Sequence, residues 1–153
     1  MLIFRVNKGV SMALIELIYV STVTAPLSDE QLVELNRFCK STNQLNGISG
    51  MLLYDGHHFM QVIEGERDHV ERLYKNIQQD PRHTEVVALI INDLPKRNFS
   101  RWSMGVIDLS KHPSYRKVKT TRPHRRLPLS YKLLKSFRDQ EMEFEERVRK
   151  SFG

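Results

Sequence analysis

The chain has 153 residues, of which 40% are hydrophobic, and this composition excludes an intrinsically disordered protein. Its formal charge of +6 is uneven: residues 1–110 carry 11 Lys/Arg and 13 Asp/Glu, whereas residues 111–153 carry 13 Lys/Arg and 5 Asp/Glu. The single cysteine, Cys39, excludes an internal disulfide and a cysteine-based zinc site, and no apolar run approaches the roughly 20 residues of a membrane span, so a cytoplasmic protein is expected.

The first predicted elements are a leader, a strand and a helix. Residues 1–12 are expected to form an N-terminal leader outside the fold. Residues 14–22 predict a buried strand, because they are apolar and β-branched. Ser28 then begins a helix, since Ser28 and Gln31 match a capping box. The exit loop of that helix is predicted at residues 43–47.

A hairpin and a second helix follow. Residues 48–54 and 57–63 are predicted strands, joined by Asp55-Gly56, a dipeptide typical of tight hairpin turns. Apolar residues at helical spacing over 70–77 predict an amphipathic helix, which Asp80-Pro81 ends.

Two further strands, over 84–92 and 102–108, complete a βαββαββ order. This order predicts an α+β, ferredoxin-like domain at residues 13–110, with two helices on one face of a five-stranded antiparallel sheet. Residues 111–153 are predicted to be a basic linker and a C-terminal helical extension, the helix running from about 129 to 150.

No motif for a metal or a phosphate loop is present. His57 and His58 are adjacent on a predicted strand and therefore point to opposite faces, so they cannot bind one metal ion. Neither a GxGxxG sequence nor a Walker loop occurs. We therefore expect no metal site.

Polar residues occur where the predicted sheet should be buried. Tyr19 and Gln61 fall on the strand faces that should lie beneath the two helices, with Asn43 aimed near the same region. An unpaired buried amide costs about 1–3 kcal/mol, so Gln61 needs a partner. Tyr19 can supply it, because a phenol both donates and accepts hydrogen bonds. On the residues alone, such a cluster is more often structural than functional.

Four segments carry a family resemblance. They are LIYVS at 17–21, NQLNGISGMLLYDGHHFMQVIEGE at 43–66, DPRH at 80–83 and RNFSRWSM at 97–104. In this order and at these spacings, they resemble the BLUF family, which senses blue light using FAD. The resemblance covers residues 15–108.

The resemblance implies a role for each matching position. Tyr19 would donate an electron and a proton toward the excited flavin, and Gln61 would bridge Tyr19 and the flavin N5/O4 edge. Asn43 would hold the pyrimidine end of the ring. The other implied flavin contacts are apolar walls at Leu35, Phe59 and Ile77, and ring neighbours at Arg82 and His83. Trp102 and Met104, on the last strand, would carry the signal.

The same resemblance implies a photoreceptor that binds FAD noncovalently and is not an enzyme. Thr42 departs from the family, because some members carry a second ring-contacting polar residue there, so no flavin contact is expected from it. Two alternatives stay open. One is a flavin-free ferredoxin-like domain with a ligand-binding or regulatory role. The other is a redox flavoenzyme, which would need a nicotinamide site that no phosphate-binding loop supports.

Signalling is expected to need partners. We expect a homo-oligomer and an unidentified downstream protein, and the basic tail makes nucleic acid or an anionic membrane a less favoured partner. The apolar side of the predicted tail helix includes Leu133, Phe137, Phe144 and Val148. It is expected to pack on the sheet face away from the other helices.

Overall fold

The structure is a computed structural model that describes residues 13–100, 104–111 and 139. The expected leader at 1–12, Trp102 and the predicted tail helix apart from Asp139 lie outside the described residues.

The described residues confirm the predicted βαββαββ order. The elements are β1 (Leu14–Val23), α1 (Asp29–Leu45), β2 (Ser49–Tyr54), β3 (His58–Glu66), α2 (Arg67–Gln79), β4 (His83–Leu94) and β5 (Gly105–Asp108). A short 3-10 helix, Leu109–Lys111, follows β5. The order and the packing together define a ferredoxin-like α+β fold.

The start of α1 is as predicted, but its end is not. The Ser28 side chain accepts from the Gln31 backbone N–H at 3.2 Å, and the Gln31 side chain accepts from the Ser28 backbone N–H at 2.8 Å. The helix runs past the predicted exit loop, so Asn43 lies in its last turn. Asn46 caps this end, because its backbone N–H donates to the Thr42 and Asn43 carbonyls.

The five-stranded sheet has the order β4-β1-β3-β2-β5. Neighbouring strands are antiparallel except β2 and β5, which are parallel, so the expectation of a fully antiparallel sheet was wrong for β5. The reason lies in the connection. The last residue of β4 and the first residue of β2 lie at the same end of the sheet. A chain that crosses from this end to the opposite edge therefore enters β5 in the same direction as β2.

The two faces of the sheet bury different clusters. On one face, side chains of both helices pack on the strands; this cluster includes Leu17, Tyr19, Ile63, Leu32, Leu35, Val70 and Tyr74. On the other face, Phe99 and Leu109 pack on the strands; this cluster includes Ile18, Met51, Met60 and Val62. The alternation along each strand therefore places Tyr19 and Gln61 beneath the helices, as predicted.

At two positions between α1 and β3, the backbone geometry explains why the residue is glycine. Gly47 has a φ of +63°, a conformation that residues with a Cβ rarely adopt. Gly50 lies so close to β3 that an added Cβ would be 1.9 Å from the Val62 carbonyl oxygen. The close approach of β2 to β3 therefore depends on Gly50.

Two carboxyl groups are buried on the sheet face away from the helices. Glu16 and Glu64 are directly paired across β1 and β3 and are 6% and 0% exposed. One Glu64 oxygen accepts from the Asn98 backbone N–H at 2.7 Å, which fastens the loop after β4 to the sheet. Burial, with the nearby Glu16 carboxylate, raises the pKa of Glu64 from 4.5 to about 7.

This raised pKa predicts a dependence of stability on pH. Because the folded state binds the Glu64 proton more tightly than the unfolded state, its contribution to the free energy of unfolding is full below pH 4.5 and is lost as the pH rises through about 7. We expect the stability difference between the wild type and Glu64→Gln to fall by on the order of 2 kcal/mol from pH 5 to pH 8. Urea unfolding at both pH values measures it, and a pH-independent difference would contradict it.

Candidate functional site

A cavity of about 240 Å³ lies between α1, α2 and the sheet. Eight side chains proposed from the sequence line it: Tyr19, Leu35, Asn43, Phe59, Gln61, Ile77, Arg82 and His83. The structure thus brings together residues from five elements and the turn before β4. Its walls are largely apolar, and its polar groups are few, as in sites that bind a small ligand.

A hydrogen-bonded pair forms the floor of the cavity. Tyr19 and Gln61 are directly opposite in the β1–β3 register, and the Tyr19 hydroxyl donates to Gln61 Oε1. The other end of the same amide, Nε2, donates to the Met104 sulfur at 3.3 Å. Tyr19 is 3% exposed and Gln61 is 4% exposed. The structure therefore satisfies both ends of the buried amide from two different strand regions.

The protonation of Tyr19 agrees with this orientation of the amide. Burial raises the pKa of the Tyr19 hydroxyl far above its ordinary value, and the nearby Cys39 and Asp80 raise this pKa further. The phenol is consequently neutral and keeps its hydrogen. A neutral phenol can donate to the Gln61 carbonyl oxygen, and the NH₂ end of the amide then faces Met104.

His83 joins the sheet to the end of α2. Its Nδ1 lies 2.8 Å from the Ser21 hydroxyl, and its Nε2 contacts the Ile77 carbonyl oxygen. A carbonyl only accepts, so Nε2 carries a hydrogen, and in a neutral ring Nδ1 accepts from Ser21. The ring also packs edge-on against Tyr19 and Phe59, with centroids 6.1 and 6.0 Å apart. His83 therefore holds one end of the cavity in a fixed shape.

Arg82 is oriented by Asp80 at the edge of the cavity. The Arg82 Nη2 and Nε donate to the two Asp80 oxygens at 2.5 to 3.1 Å, and the Arg82 backbone N–H donates to the same carboxylate at 3.0 Å. The Arg82 guanidinium holds the pKa of Asp80 below its usual range. Such a fork holds the cation in one position, where it can meet a polar ligand edge.

Sequence reasoning missed part of the lining. The further lining residues are Phe38, Cys39, Thr42, Leu52, Leu73, Asn76 and Asp80. Most follow the helical spacings i, i+3, i+4 and i+7 from Leu35 on α1 and from Leu73 on α2, so the two helix stripes could have revealed them. Thr42, from which no contact was expected, lines the cavity as well.

The two proposed signalling residues differ in their relation to the described fold. Met104 is 0% exposed and lies directly before β5, in contact with the Gln61 amide. Trp102 lies outside the described residues.

Among the described residues, no group of three or more His, Cys, Asp or Glu side chains is placed to bind a metal ion. No helix in the described ranges is long and apolar enough to cross a membrane.

The cavity fits the ring of the cofactor that the resemblance implies. An isoalloxazine ring is a flat apolar plate with a hydrogen-bonding rim. Leu35, Phe59 and Ile77 offer apolar surface, while Gln61 and Asn43 offer amides. The volume of about 240 Å³ is just below the roughly 300–1,000 Å³ of pockets that enclose a drug-sized ligand. The cavity can therefore hold the ring, but not a whole dinucleotide.

Comparisons with known proteins agree with a flavin site. The family model described as "BLUF: Sensors of blue-light using FAD" matches residues 14–105. The "Blue light- and temperature-regulated antirepressor BluF" of Escherichia coli (strain K12) is 33% identical over 96 residues, which are 63% of this chain and 24% of that protein.

Two further relatives show the same similarity. The "Photoactivated adenylate cyclase subunit beta" of Euglena gracilis is 37% identical over 89 residues, which are 58% of this chain and 10% of that protein. The chain thus matches a quarter or less of both curated relatives. The solved structure "BlrB - a BLUF protein, dark state structure" superposes with a TM-score of 0.61 at 33% identity, over 72% of this chain and 87% of that one.

Proposed function

Because this chain belongs to the BLUF family, the sensors of blue light using FAD, we propose that residues 13–110 hold FAD noncovalently between α1 and α2 and use Tyr19 and Gln61 as a light-driven switch. The observation that supports the switch most directly is the buried hydrogen bond from the Tyr19 hydroxyl to Gln61 Oε1 at the cavity floor. The protein is thereby proposed to be a photoreceptor and not an enzyme.

The first step of the proposed mechanism belongs to Tyr19. Bound flavin supplies blue-light absorption and an excited state that accepts an electron. In the proposed photocycle Tyr19 would be the donor of one electron and of its phenolic proton. The proton would move along the hydrogen bond to Gln61 Oε1 while Nε2 gives up one of its hydrogens toward the ring, so that the amide stays neutral. Both the electron and the proton return to Tyr19 when the site relaxes. Because the phenol has a raised pKa, it keeps this proton until light removes the electron.

The second step belongs to Gln61. An amide has a carbonyl at one end and an NH₂ at the other, so rotation or tautomerisation reverses its hydrogen bonds without moving the backbone. Reversal would take Nε2 away from the Met104 sulfur and turn it toward the cavity, where it would serve as an added donor to the rim of a bound ring. Such an added donor would shift the flavin absorption to the red. The amide therefore supplies the two arrangements that a switch requires.

The other lining residues hold the ring in place. Asn43, 3% exposed in the last turn of α1, is proposed to bind the pyrimidine end. Arg82, oriented by Asp80, and His83, fixed by its two hydrogen bonds, are proposed to bound the ring at the α2 end. Leu35, Phe59 and Ile77 are proposed to exclude water from its faces.

The signal is proposed to leave through Met104 and Trp102 toward the basic segment at 111–153. Met104 supports this route, since it contacts the switch and directly precedes β5, the last described strand. We propose a homo-oligomer and a downstream protein as the receivers, with the tail helix packed on the sheet face away from α1 and α2. One relative is by name a light-regulated antirepressor and another a photoactivated cyclase subunit, and this link between light and an output supports an effector partner.

An absorption spectrum before and after illumination tests the proposal. The purified protein is expected to be yellow, and blue light should shift its flavin bands slightly to longer wavelength, with full return in the dark. A colourless protein that takes up no flavin would favour the flavin-free ferredoxin-like alternative. A bound flavin that bleaches with NAD(P)H in the dark would favour a redox flavoenzyme. Flavin bands that do not move in light would overturn the proposed switch.

A further inference from the structure

A smaller pocket opens beside the cavity, at the end of α1 and the first turns of α2. This side pocket has a volume of about 50 Å³. Thr42, Asn43, Leu73 and Asn76 line both spaces, so the side pocket is the continuation of the cavity past these residues. A ligand whose ring fills the cavity can therefore extend a substituent into the side pocket.

The side pocket is positively charged. Its lining contains Arg72, His69 and the amides of Asn46 and Asn76, and it contains no carboxylate among the described residues. Arg72 forms no hydrogen bond or ion pair with another described residue. His69, one turn earlier on α2, lies 4.0 Å from the Glu66 carboxylate, outside the pocket. An arginine that has no partner among the described residues and that lines a pocket continuous with the cavity can receive an anion.

Other cations of the same helix differ from Arg72. Arg67 donates to Asp93 at 3.0 Å and lies 4.0 Å from Glu71, so the protein already neutralises it. Lys75 is exposed and lines neither the cavity nor the side pocket. Among these three residues, Arg72 alone lines a pocket and has no charged partner within the described part of the chain.

The size of each space indicates which part of a ligand it takes. The cavity has room for a flat ring. A flavin carries a ribityl chain that ends in a phosphate in both FMN and FAD. A space of about 50 Å³ suits a phosphate and is too small for an adenine. Arginine is well matched to phosphate, because its planar fork donates two parallel hydrogen bonds.

We propose that the side pocket binds the 5′-phosphate of the flavin through Arg72, so that the protein selects phosphorylated flavins over riboflavin. The proposal rests on the proposed function, since it places the ring in the cavity. The side pocket would bind the phosphate that FMN and FAD share, and no site is proposed for the adenine of FAD.

Dissociation constants of the flavin-free protein for riboflavin and FMN, measured in the dark by fluorescence quenching, test this inference. The wild type is expected to bind FMN at least about tenfold more tightly than riboflavin, since a charge-assisted hydrogen bond is worth roughly 1.5 kcal/mol or more. Arg72→Gln should remove this preference and leave riboflavin affinity unchanged. Lys75→Gln, the matched control on the same helix, should keep it. Arg72→Lys should keep only part of it, because the positive charge stays but the fork that donates two parallel hydrogen bonds is lost.

The outcomes separate this inference from the proposed function. Equal affinity of the wild type for riboflavin and FMN would overturn the phosphate site, and so would an equal loss with Arg72→Gln and Lys75→Gln. A loss of affinity for both flavins in Arg72→Gln, with native circular dichroism, would also overturn it. If neither flavin binds the wild type at all, the proposed function itself fails. The FMN preference should also weaken at high salt, because Arg72 is exposed.

Discussion

Tyr19→Phe is expected to abolish the reversible red shift of the flavin bands while the flavin stays bound. The substitution keeps the aromatic ring that packs 6.1 Å from both Tyr74 and His83, so the cavity keeps its shape. It removes only the hydroxyl that donates to Gln61 Oε1. Without that hydroxyl, Gln61 loses both the source of the proton and the partner that fixes its amide. Difference spectra after a blue flash measure the effect.

Gln61→Leu should abolish the same shift, because it removes the acceptor of this hydrogen bond and keeps the donor. Leucine is similar in volume but has no amide, so no hydrogen bond can reverse. The Tyr19 hydroxyl is then buried without its partner, which costs about 1–3 kcal/mol in stability. Flavin retention is expected in this variant too, because the apolar walls are unchanged.

Tyr74→Phe is the matched control for both variants. Tyr74 lies in the same buried cluster, 9% exposed and beside Tyr19, but it does not line the cavity. The Tyr74→Phe variant should therefore show the same reversible red shift as the wild type. A normal red shift in Tyr19→Phe or in Gln61→Leu would show that the proposed mechanism is wrong.

Gly50→Ala is expected to prevent stable folding, or to lower the free energy of unfolding by more than about 3 kcal/mol. The added Cβ would lie 1.9 Å from the Val62 carbonyl oxygen and 3.0 Å from its carbon, well inside van der Waals contact. These atoms are backbone in the interior of the sheet, with β3 paired to β1 on its other side, so they cannot move aside. Because Val62 follows Gln61, any shift of β3 also displaces the switch.

Gly56→Ala is the control for this effect. Gly56 has a φ of +95°, so alanine is strained there, but an added Cβ meets nothing within 4 Å. We expect a loss of about 1 kcal/mol, by the usual strain of a residue with a Cβ at positive φ. Urea midpoints of both variants measure the difference. Equal stability of the two variants would contradict the close packing of β2 on β3.

The fold was predictable where the signals are local. The Ser28 capping box and the Asp55-Gly56 turn each act within a few residues, and both are where the sequence placed them; the Asp55 carboxylate accepts from the His57 and His58 backbone N–H groups at 2.8 and 2.6 Å. The direction of β5 was not predictable in this way. It depends on which edge of the sheet the chain reaches after β4, and no short sequence pattern encodes that choice.

The candidate site was predictable to a similar extent. The meeting of Tyr19 and Gln61 followed from strand alternation and from the need of a buried amide for a partner. Thr42, Asn76 and Asp80 were missed as lining residues, because polar residues near helix ends normally face solvent. Only the placement of α1 and α2 over the same face of the sheet turns these positions toward a shared space.

The parallel pairing of β5 has a mechanical consequence. β5 is the shortest strand of the described sheet, lies at its edge, and is paired only with Met51–Tyr54 of β2. Detaching it would leave the ladders among β4, β1, β3 and β2 intact, so the opening would be confined to β5 and to the buried side chains that flank it, Met104 and Leu109. Gln61 reaches past β2 to Met104, the residue directly before this strand. In the proposed mechanism, rotation of the Gln61 amide would therefore act directly on the edge strand, without any change in the pairing of the other four strands.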